Sequence, residues 1–149
     1  MKVLLLFPPS WHPSQPYLSL PSLTAFLRQN GIPDVRQRDL NIELLDILLT
    51  KKECSEFYQR IIDKIKSMDR TSVHSSQYQE QYQTMVDAVE AIPALMDKVE
   101  TAKNTLRSEG FYDLERYMES VYIVNESLRN MSALFYPSSM TSLNNDMRY

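Results

Sequence analysis

At 149 residues, with 43% apolar and 23% charged side chains, the chain has the size and balance of one globular domain with a buried core, so a disordered chain is not expected. A formal net charge of -3 offers no basic field to neutralise phosphates, which weighs against nucleic acid and anionic membrane as partners. The lone cysteine, Cys54, makes no internal disulfide, iron–sulfur cluster or four-thiolate zinc site, so a reducing, cytoplasmic setting is expected.

The first predicted element is a buried strand, Val3 to Phe7 within Lys2-Val-Leu-Leu-Leu-Phe7, which stops at Pro8-Pro9-Ser10-Trp11-His12-Pro13. Five apolar residues are too few for a signal-peptide core or a membrane span. Five of the eight prolines lie between Pro8 and Pro21, marking a stiff loop with few amide donors. In open α/β sheets ligands bind beyond the carboxyl ends of the strands, so Pro8 to Pro16 is the expected ligand-facing stretch. With two glycines in the whole chain, neither a dinucleotide fingerprint nor a P-loop exists.

From Leu18, the residues Leu20, Leu23, Phe26 and Leu27 recur at helical spacing, and Gly31 follows Asn30 where a left-handed cap ends a helix. Asp34 to Leu40 predicts a second strand, its charges suited to an edge. Asn41 is the expected cap of a second helix carrying Ile42, Leu44, Leu45, Ile47 and Leu48. Residues 1–50 thus spell β-α-β-α, a Rossmann-like start with a parallel pair and a right-handed crossover. Two parallel strands make a poor sheet, so either the helices that follow lie across a tiny sheet or further strands come after Tyr149; the second is expected.

Residues 51–135 read as helical. Phe57, Ile61, Ile65 and Met68 form one stripe, with Arg60, Lys64 and Lys66 outward. After a polar break from Asp69 to Gln77, a seam of Tyr78, Tyr82, Met85, Val89, Ile92, Met96 and Val99 keeps its phase across Pro93, which predicts one kinked helix ended by Gly110. Asp113 caps a further helix with Leu114, Tyr117, Val121, Val124, Leu128, Met131 and Phe135 on one stripe, completing an antiparallel helical hairpin. Residues 136–149 are polar and aperiodic, a connector or tail.

No catalytic or metal-ligating cluster stands out. Asp63, Asp87, Asp97 and Glu100 are scattered acids without flanking histidines, and Cys54 lacks a nearby His or a clear basic pocket, so a passive thiol is expected. His12 reads as a ligand or as a loop-packing histidine, and Trp11 as a stacking surface or a plug for the open end of the sheet. Asp39 and Asn41 sit where acids of Rossmann-like folds meet a ribose, and an ordinary turn and cap explains them as well.

Strand, Pro8-Pro9, loop, the helix Leu20 through Leu27, Gly31, and Asp39-Leu40-Asn41 together resemble the amino-terminal end of cobalamin-binding radical SAM enzymes. Tyr136-Pro137 with Asn144 to Tyr149 is similar to the connector that leads from a helical insertion back to a third strand in some members. The resemblance implies a Rossmann-like domain holding cobalamin over its strand ends, with Pro8, Pro9, Ser10, Trp11, His12, Asp39 and Asn41 as cofactor-facing positions. It implies methyl transfer to carbon by a downstream barrel that binds a 4Fe-4S cluster and S-adenosylmethionine. The barrel's Cys-x-x-x-Cys-x-x-Cys motif is missing, so this chain alone is not expected to be an enzyme. The Asp-x-His-x-x-Gly motif that supplies a histidine to cobalt in another class is missing too. Expected partners are the downstream radical SAM domain or its substrate, and a homo-oligomer is open. The alternative is a free-standing helical protein-interaction module without cofactor, and a third reading is a small-molecule domain that uses the proline loop.

Overall fold

A computed structural model describes residues 1–8, 18–68, 75–138 and 140. The elements follow the order β1 (Val3–Phe7), α1 (Ser19–Gln29), β2 (Val35–Asp39), α2 (Leu40–Leu48), α3 (Lys51–Ser67), α4 (Ser76–Met96), α5 (Val99–Thr105) and α6 (Leu114–Met131). Single 3-10 turns at Glu109–Tyr112 and Ser132–Phe135 flank the last helix. The chain divides into two compact units, Met1–Ile47 and Leu48–Tyr149.

In the first unit β1 and β2 pair in parallel, with register Val3 to Val35, Leu5 to Gln37 and Phe7 to Asp39. They form a two-stranded sheet with α1 between them in sequence, the expected β-α-β start. The helix ends as glycine at position 31 predicts. Gly31 has φ +84°, its N–H bonds the Arg28 carbonyl at 3.3 Å, and the Ile32 N–H reaches back to the Leu27 carbonyl at 3.0 Å. Only glycine takes that backbone angle without strain, and the two bonds satisfy carbonyls the last turn leaves open.

Paired residues of a parallel ladder share a face, so Leu5 and Gln37 lie together on one side and Leu4, Leu6, Arg36 and Arg38 on the other. α1 covers the first face: the Thr24 hydroxyl donates to Gln37 Oε1 at 3.2 Å, and Arg28 Nη2 donates to the Val35 carbonyl at 3.2 Å. On the second face Leu4 is 56% and Leu6 51% exposed. The stripe expected on α1 is only partly buried. Leu20 and Thr24 are inside while Leu23 and Phe26 face solvent, because two strands give a helix too narrow a footprint to cover its whole apolar face.

The second unit is a bundle in which α3 packs on α4, and α4 and α5 pack on α6. Lys51, at the start of α3, pairs through Nζ with Asp97 just past the end of α4, at 2.6 Å. Tyr136, just past α6, donates to Glu80 near the start of α4. α4 therefore runs antiparallel to both α3 and α6. The fully buried side chains Ile61, Met85, Ile92, Val99, Leu128 and Met131 come from all four helices and form the core.

Three expectations need correction here. The seam is not one helix to Gly110: α4 runs through Pro93 but stops at Met96, α5 resumes at Val99 and ends at Thr105, and Gly110 sits in the 3-10 turn. Proline lacks the N–H that would bond four residues back, so the ladder is already weakened one turn before it breaks. The apolar stripe expected on α6 and the turn after it is only in part the buried line. Leu114 and Phe135 are exposed, whereas Ser120, Ile123, Ser127 and Asn130 are buried beside Val124, Leu128 and Met131. Finally, Asn41 is not the cap of α2. Asp39 is, its Oδ1 accepting the N–H groups of Asn41 at 3.0 Å and Ile42 at 3.2 Å. The strand runs to Asp39 and the helix begins at Leu40, so the aspartate stands at the position whose side chain reaches the second and third helical amides.

Candidate functional site at the carboxyl edge of the sheet

The parallel register places Phe7 beside Asp39, so β1 and β2 end together. Pro8 follows β1 directly and is exposed, while Phe7 is buried. At the neighbouring strand end Asp39 fixes the first turn of α2, and Asn41 in that turn is buried. The sheet therefore brings the chain positions of Pro8, Asp39 and Asn41 to one edge. The other expected positions, Pro9, Ser10, Trp11 and His12, lie outside the described residues.

The electrostatics at this edge are modest. Arg38, the last residue before Asp39, binds Glu43 on α2, its Nε donating to Oε1 at 2.9 Å and its Nη2 to Oε2. That hydrogen bond raises the Arg38 guanidinium above its ordinary value and holds the Glu43 carboxyl below the usual carboxylate range. Both groups are solvated, so the pair orients the strand end on α2 more than it stabilises the fold. It also neutralises the guanidinium of the residue that precedes Asp39.

A basic groove along β2, missed by the sequence reading, is lined in part by Lys2, Arg28, Arg36 and Arg38. Its signal in the sequence is Arg36-Gln37-Arg38, whose alternation puts both guanidinium groups on one face of the strand. Arg28 and Arg38 are engaged with the Val35 carbonyl and Glu43, so the groove blunts the open edge of β2 against further pairing.

Chemistry elsewhere is sparse. Among the described residues no group of three or more His, Cys, Asp or Glu is placed to hold a metal ion. Cys54 is buried in α3, and burial pushes its thiol up to about 11, the nearby Glu100 and Glu53 adding to the rise. At neutral pH it is a protonated, packed side chain, the state of an inert thiol. Among the described residues no helix is long and apolar enough to cross a membrane.

No protein-family profile matches the chain, and no curated protein or solved structure matches it either.

Proposed function

We propose that the first unit is the opening of a cobalamin-binding-type α/β domain in a cobalamin-dependent radical SAM enzyme that transfers methyl groups to carbon, with the helical unit as an insertion. The observation that carries this reading is the condition of β1. It is a strand of five apolar residues, paired among the described residues on one side only, with Leu4 and Leu6 open to solvent. Such a strand belongs inside a parallel sheet covered on both faces. Further strands beside it would bring their loops to the edge where Pro8 and Asp39 lie, the crevice in which open α/β sheets hold ligands.

The residues present fit one wall of a large cofactor. Pro8 is exposed at the end of β1, and at the end of β2 Asp39 Oδ1 holds the first turn of α2, in which Asn41 is buried. Cobalamin, when bound, would supply the methyl-carrying cobalt chemistry; this chain's part is to shape the cofactor's rim and exclude water from it. A 4Fe-4S cluster and S-adenosylmethionine belong, in this reading, to a downstream barrel, because one buried thiol cannot ligate the cluster. The chain alone is then not catalytic.

Titration with hydroxocobalamin, followed by absorbance and calorimetry, tests the reading. Residues 1–149 alone are expected to bind weakly or undetectably, because contacts from several strand ends must converge to offset the entropy of capture. A protein extended past Tyr149 by further strands and a Cys-x-x-x-Cys-x-x-Cys motif is expected to bind measurably tighter. An extended frame without that motif, or an extended protein that ignores cobalamin, removes the proposal.

A second reading, a helical interaction module, is favoured by one specific observation. The helical unit has its own core, yet α6 also carries large apolar side chains on its outer face. Function retained by residues 48–149 without any cofactor would select this reading over the first.

A further inference from the structure

On α6, Leu114, Met118 and Tyr122 stand at i, i+4 and i+8, which puts them on one line along the helix. They are 74%, 59% and 63% exposed. The line lies away from the buried face of Ser120, Ile123, Val124, Ser127 and Leu128, so α6 has two apolar faces and the bundle uses one. The row is extended at its amino end by Phe111 and Tyr112, both exposed. The Phe111 ring packs edge-on against Tyr112 at 5.5 Å and Tyr117 at 5.2 Å, which fixes that end of the ridge. A contiguous ridge of this kind on a folded surface marks a place where something docks.

The charges beside the ridge say what kind of partner. Glu115 and Glu119 each follow a ridge residue by one position, about 100° further round the helix, and form an exposed acidic row along one flank. Their carboxylates pair with no cation among the described residues, whereas Asp113 is occupied with the helix start and Arg116 with Asp113. The opposite flank carries Tyr117 and Val121, with no basic residue. A second copy of this chain fits poorly. A two-fold axis that packs two ridges antiparallel sets acidic row against acidic row, and a parallel one sets it against Tyr117 and Val121. Neither supplies a cation.

We infer that the outer face of α6 docks an amphipathic helix of another protein or domain, with its apolar stripe on Leu114, Met118 and Tyr122 and a row of Lys or Arg facing Glu115 and Glu119. The docking is helix on helix, read through residues spaced by three and four, with the charges fixing its register. The inference stands on α6 alone and is independent of the cobalamin reading.

The test uses the full chain and two synthetic helical peptides, identical in their leucines at i, i+3, i+4 and i+7, one flanked by lysines and the other by glutamates. Fluorescence anisotropy is expected to show binding of the lysine peptide and not of the glutamate peptide. The double variant Glu115→Lys/Glu119→Lys is expected to weaken the lysine peptide by about tenfold, two exposed ion pairs being lost, and to gain binding of the glutamate peptide. Met118→Lys is expected to weaken both. All three positions are exposed, and circular dichroism of each variant confirms the fold is retained. Equal binding of the two peptides, no binding of either, or binding indifferent to Met118→Lys overturns the inference. Self-association abolished by Met118→Lys overturns it too, since the occupant is then a second copy.

Discussion

Asp39 bears two demands at one position, the end of a strand and the start of a helix. Its Oδ1 takes both the Asn41 and Ile42 amides, so Asp39→Ala should cost about 1 kcal/mol by urea denaturation, while Asp39→Asn should cost little. A loss of ligand binding with unchanged stability would give Asp39 a role other than capping. Cys54 provides a pH signature of burial. Its thiol titrates near 11 in the fold against an ordinary 9.0, so the neutral form is the one the fold favours. The unfolded chain therefore loses its proton first, and stability is full below about 9 and falls as pH rises towards about 11, by at most about 1.4 kcal/mol per pH unit. Subtracting the same urea series for Cys54→Ala isolates this contribution, and parallel curves for the two proteins would show that burial does not hold the thiol neutral. Single residues were legible in the sequence where one residue type alone fits the backbone, as with Gly31. They were not where two neighbours share a chemistry: Asp39 and Asn41 both cap helices, and only the length of β2 decides between them.

At the level of elements, α6 shows what periodicity can and cannot deliver. The existence of the helix and its cap at Asp113 are legible from spacing and residue type, and Asp113 Oδ1 does accept the Glu115 and Arg116 amides at 3.1 and 3.2 Å. The buried line was not legible, because three of its members are polar. Ser127 donates to the Ile123 carbonyl at 2.7 Å and Asn130 to the Glu126 carbonyl at 2.7 Å, each satisfied within its own helix, so they enter the interior without needing a partner across it. A reading that counts only apolar residues assigns Leu114 to the core and leaves these out. The two leucines of α6 therefore separate the faces. Leu128→Ala should cost about 2–5 kcal/mol, and Leu114→Ala should stay within about 0.5 kcal/mol, both by urea denaturation followed by circular dichroism. Equal losses at the two positions would mean that the outer face of α6 is packed as tightly as the inner one.

For the molecule as a whole, the two units differ in how completely each closes on itself. Residues 48–149 contain a core contributed by four helices and should unfold in one cooperative transition as a separate chain. Residues 1–47, with one helix over two strands, should show no such transition. Thermal melts of the two pieces check this, and a cooperative melt of residues 1–47 would mean that the small sheet needs no further strands. The β-α-β start and the helical remainder were legible because hydrophobic period changes from one to the other after Thr50. The sheet has one further property, set by the unlike chemistry of its two strands. Among the described residues β1 is an edge strand of apolar side chains, whereas β2 at the other edge carries Arg36 and Arg38. Extension is therefore one-way. Two isolated chains that meet strand to strand through β1 would both present β2 outward, and the assembly would terminate itself at a pair instead of growing into a fibre.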